Sequence, residues 1–264
     1  MTSEIAKLLK EDNLADAARA AASAVKARPQ DSGARTLLAA LSVLQGDLAR
    51  AETQASMAAK FAPDEALALG LFRQHLRGLH ARDEWWKSGA VPGFPGGATE
   101  ADREAVALNI ALREGDGAGA RDTLARLEDV RGARGGQWNE CAADDLRDLD
   151  DRLPHAIEAI SPGGHYLWID TAKIARIAFR PVAGPLDLAL RAARVTLSDG
   201  AEADLMLPAI YPAPESPALQ LGRRTEFTES CGLTIGHGQR AYLAGDEMEG
   251  FLSAETISFE GKDG

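Results

Sequence analysis

Asn13-Leu14-Ala15-Asp16-Ala17-Ala18-Arg19-Ala20-Ala21-Ala22-Ser23-Ala24-Val25-Lys26-Ala27-Arg28-Pro29 has a counterpart 34 residues further on, from Asp47-Leu48 to Pro63. In that register Ala17 falls on Ala51, Ala21 on Ala55, Ala24 on Ala58 and Lys26 on Lys60. The spacing puts the alanines on one helical face, where small side chains let a neighbouring helix come close, and each proline ends its helix because it lacks an amide hydrogen and clashes with the preceding turn. A period of about 34 residues with this pattern is that of the tetratricopeptide helix pair.

Working outward, Asp31 or Ser32 caps the first helix of the second pair, Leu37, Leu38, Leu41 and Leu44 form its apolar stripe, and Gly46 ends it. A further copy starts after Pro63 with Leu67, Leu71 and Phe72, and its register decays at Trp85-Trp86. Val91-Pro92-Gly93-Phe94-Pro95-Gly96-Gly97 excludes helix, and Thr99 with Asp102 restarts one through a capping box. Gly115-Asp116 followed by Ala120, Leu124 and Leu127 repeats the earlier pattern. The carboxylates Asp144, Asp145, Asp148, Asp150 and Asp151 lack the spacing of a calcium loop and read as a solvated helix face.

After Ser161-Pro162-Gly163-Gly164 the period shifts from 3.6 to 2. His165–Asp170 and Lys173–Phe179 read as strands, and Asp199-Gly200 as a hairpin turn followed by Leu205 and Leu207 on the return strand. The prolines at 208, 212, 214 and 217 make a loop, and closing strands are expected over 239–243 and 251–259. The expected fold is thus a tetratricopeptide-like helical domain over residues 1–160, in two lobes broken near 91–97, followed by a small sheet-rich α+β domain over 161–264.

The 264 residues are 45% hydrophobic and 26% charged, values of a folded globular chain. A formal net charge of -11 opposes association with nucleic acid or an anionic membrane. No basic leader followed by an apolar run opens the chain and no apolar stretch approaches membrane-spanning length, so a cytoplasmic location is expected. Cys141 and Cys231 cannot make a disulfide framework. A hydrolase on Cys231 and His237 lacks an orienting group and an oxyanion site, and two ligands at that spacing do not make a zinc site. Neither a dinucleotide loop nor a phosphate loop is present, so no cofactor is expected. Arg223, Arg224 and Arg240 suit a carboxylate or phosphate ligand, or else pair with acidic residues of either domain. Of the adjacent Trp85 and Trp86, which point in different directions, one can be core while the other reaches a groove or domain boundary.

Several irregular stretches occur in a fixed order: Gly164-His165-Tyr166-Leu167-Trp168-Ile169 with Ile174-Ala175-Arg176-Ile177, Leu186-Asp187-Leu188, Val195 to Gly200, Tyr211-Pro212, Leu221-Gly222-Arg223-Arg224-Thr225-Glu226-Phe227, and Gly236-His237-Gly238-Gln239-Arg240. This string resembles the ImpE family, also called SciE-type or TagJ accessory proteins, of type VI secretion systems; Phe227 stands where the family usually has tryptophan. The resemblance implies a non-enzymatic adaptor that holds the N-terminal helix of the small sheath subunit, near the unfoldase that recycles contracted sheath. A concave helical-repeat surface suits such a helix. Leu37, Leu41, Leu44, Leu67, Leu71, Trp85 and Trp86 are the candidate lining residues. The alternatives are a hydrolase or small-ligand-binding protein using the C-terminal domain, in which histidines and cysteines would converge, and a scaffold for peptide tails, with a basic groove.

Overall fold

The computed structural model describes residues 2–260. Seven helices come first: α1 (Ser3–Lys10), α2 (Leu14–Ala27), α3 (Ser32–Leu44), α4 (Leu48–Phe61), α5 (Ala66–Ser88), α6 (Glu100–Glu114) and α7 (Gly117–Arg131). Asn13, Asp31 and Asp47 cap α2, α3 and α4 by accepting from the backbone amides of Asp16, Ala34 and Arg50. Thr99 and Asp102 close a reciprocal capping box on α6. The repeated alanines do what their size permits: Ala17, Ala21, Ala51, Ala55 and Ala58 are all buried where helices meet. Helix α5 runs through Trp85-Trp86 without interruption and stops at Gly89, which takes a left-handed φ of 86°. The register decays there because this unit has no second helix of its own; the far half of α5 packs on strands.

Thirteen strands follow: β1 (Gly136–Trp138), β2 (Cys141–Ala143), β3 (Leu146–Asp148), β4 (Ala156–Ile160), β5 (Tyr166–Asp170), β6 (Ile174–Phe179), β7 (Leu190–Leu197), β8 (Glu202–Pro208), β9 (Thr225–Ser230), β10 (Leu233–Gly238), β11 (Ala241–Ala244), β12 (Glu247–Gly250) and β13 (Thr256–Phe259). They form an eight-stranded sheet in the order β2-β1-β13-β6-β7-β8-β4-β5, a three-stranded sheet β12-β11-β3 and the hairpin β9–β10; every pairing between named strands is antiparallel. The fold is a helical region followed by a sheet-rich one, with β7 and β8 joined at Asp199-Gly200.

Helix gives way to strand between Arg131 and Gly136, well before the 160/161 junction expected from composition. β1, β2 and β3 have three residues each, too few for an alternating pattern to register. The acidic segment is likewise no solvated helix face: Asp148 ends β3 fully buried, and Asp150 is buried in the turn that follows. The hairpin β9–β10 turns at Cys231 and Gly232, with φ of 56° and 80°, the positive pair of a tight two-residue turn without the usual Asn-Gly signal.

Strand β4 joins the two regions because both of its faces are covered. Ile157 and Ala159 enter the sheet core with Tyr242 and Phe251, while Ile160 packs with Leu76 and Leu79 of α5 and Ala156 with Trp85. Gly78 permits this approach, since a Cβ at that position would overlap the Ile160 side chain. Trp85 meets Trp168 of β5 edge to face, with ring centroids 5.0 Å apart, one of the preferred aromatic geometries.

Candidate partner-binding groove

Helix α3 is the first of its pair, α5 stands in the equivalent place in the next unit, and α4 packs against both. Between α3 and α5 lies a groove of about 630 Å³, walled on its third side by the loop Ala183–Leu186. Each helix presents consecutive turns of one face to it: Gly33, Thr36, Leu37 and Ala40 from α3, and Ala68, Leu71, Phe72 and His75 from α5. These spacings of three and four residues make a stripe along a helix. Leu71 is 41% exposed beside the groove, whereas Phe72 lies deep in it at 8%. Pro185 and Leu186 complete the wall, so the sheet-rich region already occupies part of the concave helical face and leaves this channel uncovered.

The groove lining has two ionisable side chains. Glu65 lies at its rim, next to the exposed Asp64. His75, only 8% exposed, is in the lining, and its ring nitrogens have no hydrogen-bond partner among the described residues. Burial lowers the His75 pKa from the ordinary histidine value, which keeps the ring uncharged near neutral pH.

The seven sequence candidates separate into four settings. Leu37 and Leu71 line the groove. Leu41 and Trp85 do not: both are fully buried, Leu41 with Leu14 and Ala17 between α2 and α3, and Trp85 between α5, α6 and the sheet. Helix α3 is covered on more than one side, so an apolar stripe on it is mostly core. Leu44, almost completely buried, and Trp86 border a second cavity, of about 490 Å³, between the helical and sheet-rich regions. Leu67 is 90% exposed on α5 and lines neither space. His75 and Pro185 carry no signal of their own in the sequence, and Leu186 stands there only as part of the Leu186-Asp187-Leu188 stretch that carries the resemblance.

The second cavity is built on ion pairs. Glu158 of β4 accepts from Arg82 Nε and Nη2 at 2.8 Å each and from Trp86 Nε1 at 3.0 Å, and it is also paired with Arg240. Burial alone would raise its pKa, but Arg82 and Arg240 outweigh burial and hold it down at about 2. Arg240 also pairs with Asp148, which accepts from the Tyr211 hydroxyl at 2.6 Å. Burial pushes Asp148 up to about 6, with Arg240 opposing and the Asp150 carboxylate adding to the rise. Arg152, paired with Asp150, covers the Trp86 ring at 4.8 Å. Arg240 is therefore structural here, Arg223 lies 3.6 Å from Asp12 of the helical region, and Arg224 is exposed.

The remaining reactive side chains stay apart. His155 pairs with Asp102 at 3.0 Å in the interior, His165 is exposed beside Ser161, and His237 meets Thr228 on the hairpin. Cys141 is exposed on β2, while Cys231 occupies the β9–β10 turn. Among the described residues no three His, Cys, Asp or Glu side chains are placed to hold a metal ion, and no helix is long and apolar enough to cross a membrane.

Comparison with known proteins bears on the whole arrangement. A family model described as ImpE protein matches residues 140–258. A type VI secretion system accessory component, TagJ of Pseudomonas aeruginosa, is 26% identical over 97% of this chain and 91% of its own length. The crystal structure of protein VPA1032 from Vibrio parahaemolyticus superposes with a TM-score of 0.90 over 98% of both chains at 24% identity, a likeness of fold.

Proposed function

Since the chain belongs to the ImpE family, we propose that it is a cytoplasmic accessory component of a type VI secretion system, acting as a binding module and not as an enzyme. Its partner on this reading is the N-terminal helix of the small sheath subunit, held by helix-in-groove recognition between α3 and α5, near the unfoldase that recycles sheath. The observation that carries the proposal is the pair of facing helical stripes, Leu37 on α3 and Leu71 with Phe72 on α5, which form an apolar channel open to solvent. Similarity to TagJ over nearly the full length supports the secretion role. The acidic rim at Asp64 and Glu65 complements a helix whose flanks are basic and disfavours one with acidic flanks.

Burying a few aliphatic side chains yields roughly 1.5 to 3 kcal/mol for each one fully covered, less the cost of ordering the peptide, which is consistent with micromolar affinity. Titration calorimetry of the intact protein with a synthetic N-terminal sheath-subunit helix tests the assignment. Leu71→Asp is expected to weaken binding at least tenfold while leaving Tm within experimental scatter, and moderate salt is expected to have little effect. Undiminished binding in Leu71→Asp, together with a steep loss on adding salt, would move the site away from this groove.

A further inference from the structure

We propose that His75 is the specificity residue of the α3–α5 groove, requiring an uncharged polar side chain, a hydroxyl or carboxamide, on the partner helix where it crosses the imidazole. The inference rests on the groove reading given above and adds to it the chemistry of the occupant. An apolar channel accepts amphipathic helices almost indiscriminately, because burial of apolar area has no direction. His75 breaks that uniformity. Its ring lines the groove with Phe72, its nitrogens have no hydrogen-bond partner among the described residues, and 8% of the residue still reaches solvent. A helix lying over it removes that last contact with water. The ring must then be given a hydrogen bond by the occupant or be left unsatisfied, which is the cost that discriminates between otherwise similar partners.

The chemistry of the surroundings selects the class of group. A neutral imidazole offers one donor and one acceptor, and hydroxyls and carboxamides can answer either. A carboxylate would favour imidazolium, which burial opposes, and would approach the acidic rim at Glu65 and Asp64. An ammonium or guanidinium would be desolvated among leucine and phenylalanine side chains. Of the residues lining the groove, α3 and the Ala183–Leu186 loop supply no charged group, and Glu65 is the one other ionisable side chain. The pH response of the complex below neutrality therefore reports on His75 and Glu65, and Glu65→Gln separates the two.

The test is a double-mutant cycle on the intact protein, using the synthetic sheath-subunit helix and a set of peptides in which each Ser, Thr, Asn or Gln is replaced by alanine in turn. One replacement is expected to cost about tenfold in affinity against the native chain and nothing against His75→Leu, with His75→Gln recovering most of the loss; Tm of each variant establishes that it is folded. Affinity is expected to fall on acidification, as protonation of His75 in the free protein competes with occupation of the groove, and the His75 ring resonance should titrate lower in the complex than in the free protein. Absence of coupling between residue 75 and any polar peptide position, or affinity that rises on acidification in Glu65→Gln, would overturn the proposal. If Leu71→Asp abolishes binding while residue 75 shows no coupling, only the role of His75 falls. If Leu71→Asp has no effect, the groove and the role of His75 fall together.

Discussion

Helix α5 has two ends in opposite surroundings. Over its first turns Leu67 and Leu71 reach solvent beside an apolar channel that little polar chemistry interrupts. Over its last turns Arg82, Trp85 and Trp86 are fastened to β4 and β5 through a buried carboxylate and an edge-to-face indole contact. The difference separates two uses of one rigid rod: ion pairs and aromatic contacts at the far end fix its position, so that leucines at the near end can remain uncovered without the helix shifting to bury them. Apolar packing alone would tolerate such a shift, whereas a buried pair with two-point geometry resists it.

The anchored end is where the largest stability effects are expected. Glu158→Ala leaves Arg82 without its carboxylate partner and Arg240 with Asp148 alone, and a loss of about 3–5 kcal/mol in denaturant unfolding is expected. A loss below about 1 kcal/mol would mean that the pairs do not hold the rod. Gly78→Ala sharpens the comparison at the midpoint of α5. Alanine favours helix by roughly 1 kcal/mol, yet its methyl meets Ile160, so net destabilisation of about 1–3 kcal/mol is expected from strain at the β4 contact. Stabilisation would show that α5 can move off the sheet.

The smallest effect is in pH. The folded pKa of Glu158, about 2, lies below its unfolded value, so its contribution is present above about 4.3 and is lost as the pH falls toward 2. The folded pKa of Asp148, about 6, lies above its unfolded value, so its contribution is present below about 3.9 and is lost as the pH rises through 6. Tm is expected to rise modestly from pH 7 to pH 5 and to fall at lower pH. In Asp148→Asn the rise should disappear and the fall remain; a rise that survives the substitution would assign it to other groups.

What the sequence made legible follows the same division. The alanines of α2 and α4, the Asp31 cap of α3, the Thr99–Asp102 capping box of α6 and the Asp199-Gly200 turn are local signals, and each is present as expected. The anchored end depends on partners far away in sequence: Glu158 needs Arg82 and Arg240, and Asp148 needs Arg240 and Tyr211. Nothing local distinguishes such carboxylates from solvated ones, and the acidic run was misread as a surface for that reason. The groove was half legible. Leu37 and Leu71 follow from periodicity, but Leu41 obeys the same periodicity and is core, because the number of sides of α3 that are covered is a tertiary property. His75 is one of two histidines in a long helix, and its position on a channel becomes visible only once Pro185 and Leu186 supply the opposite wall.

The proline-glycine interruption after α5 has a role of its own. Gly93 donates to the carbonyl of Tyr166 at 2.9 Å and accepts from the amide of Trp168 at 2.9 Å, a single parallel bridge against β5. β5 is the outermost strand at that end of the large sheet, where exposed amides and carbonyls would recruit a strand from another molecule. One glycine, placed where a Cβ would overlap Leu167, caps that border and offers no ladder of its own to extend. The segment that looks like damage to the helical repeat thus closes part of a sheet border to strand addition.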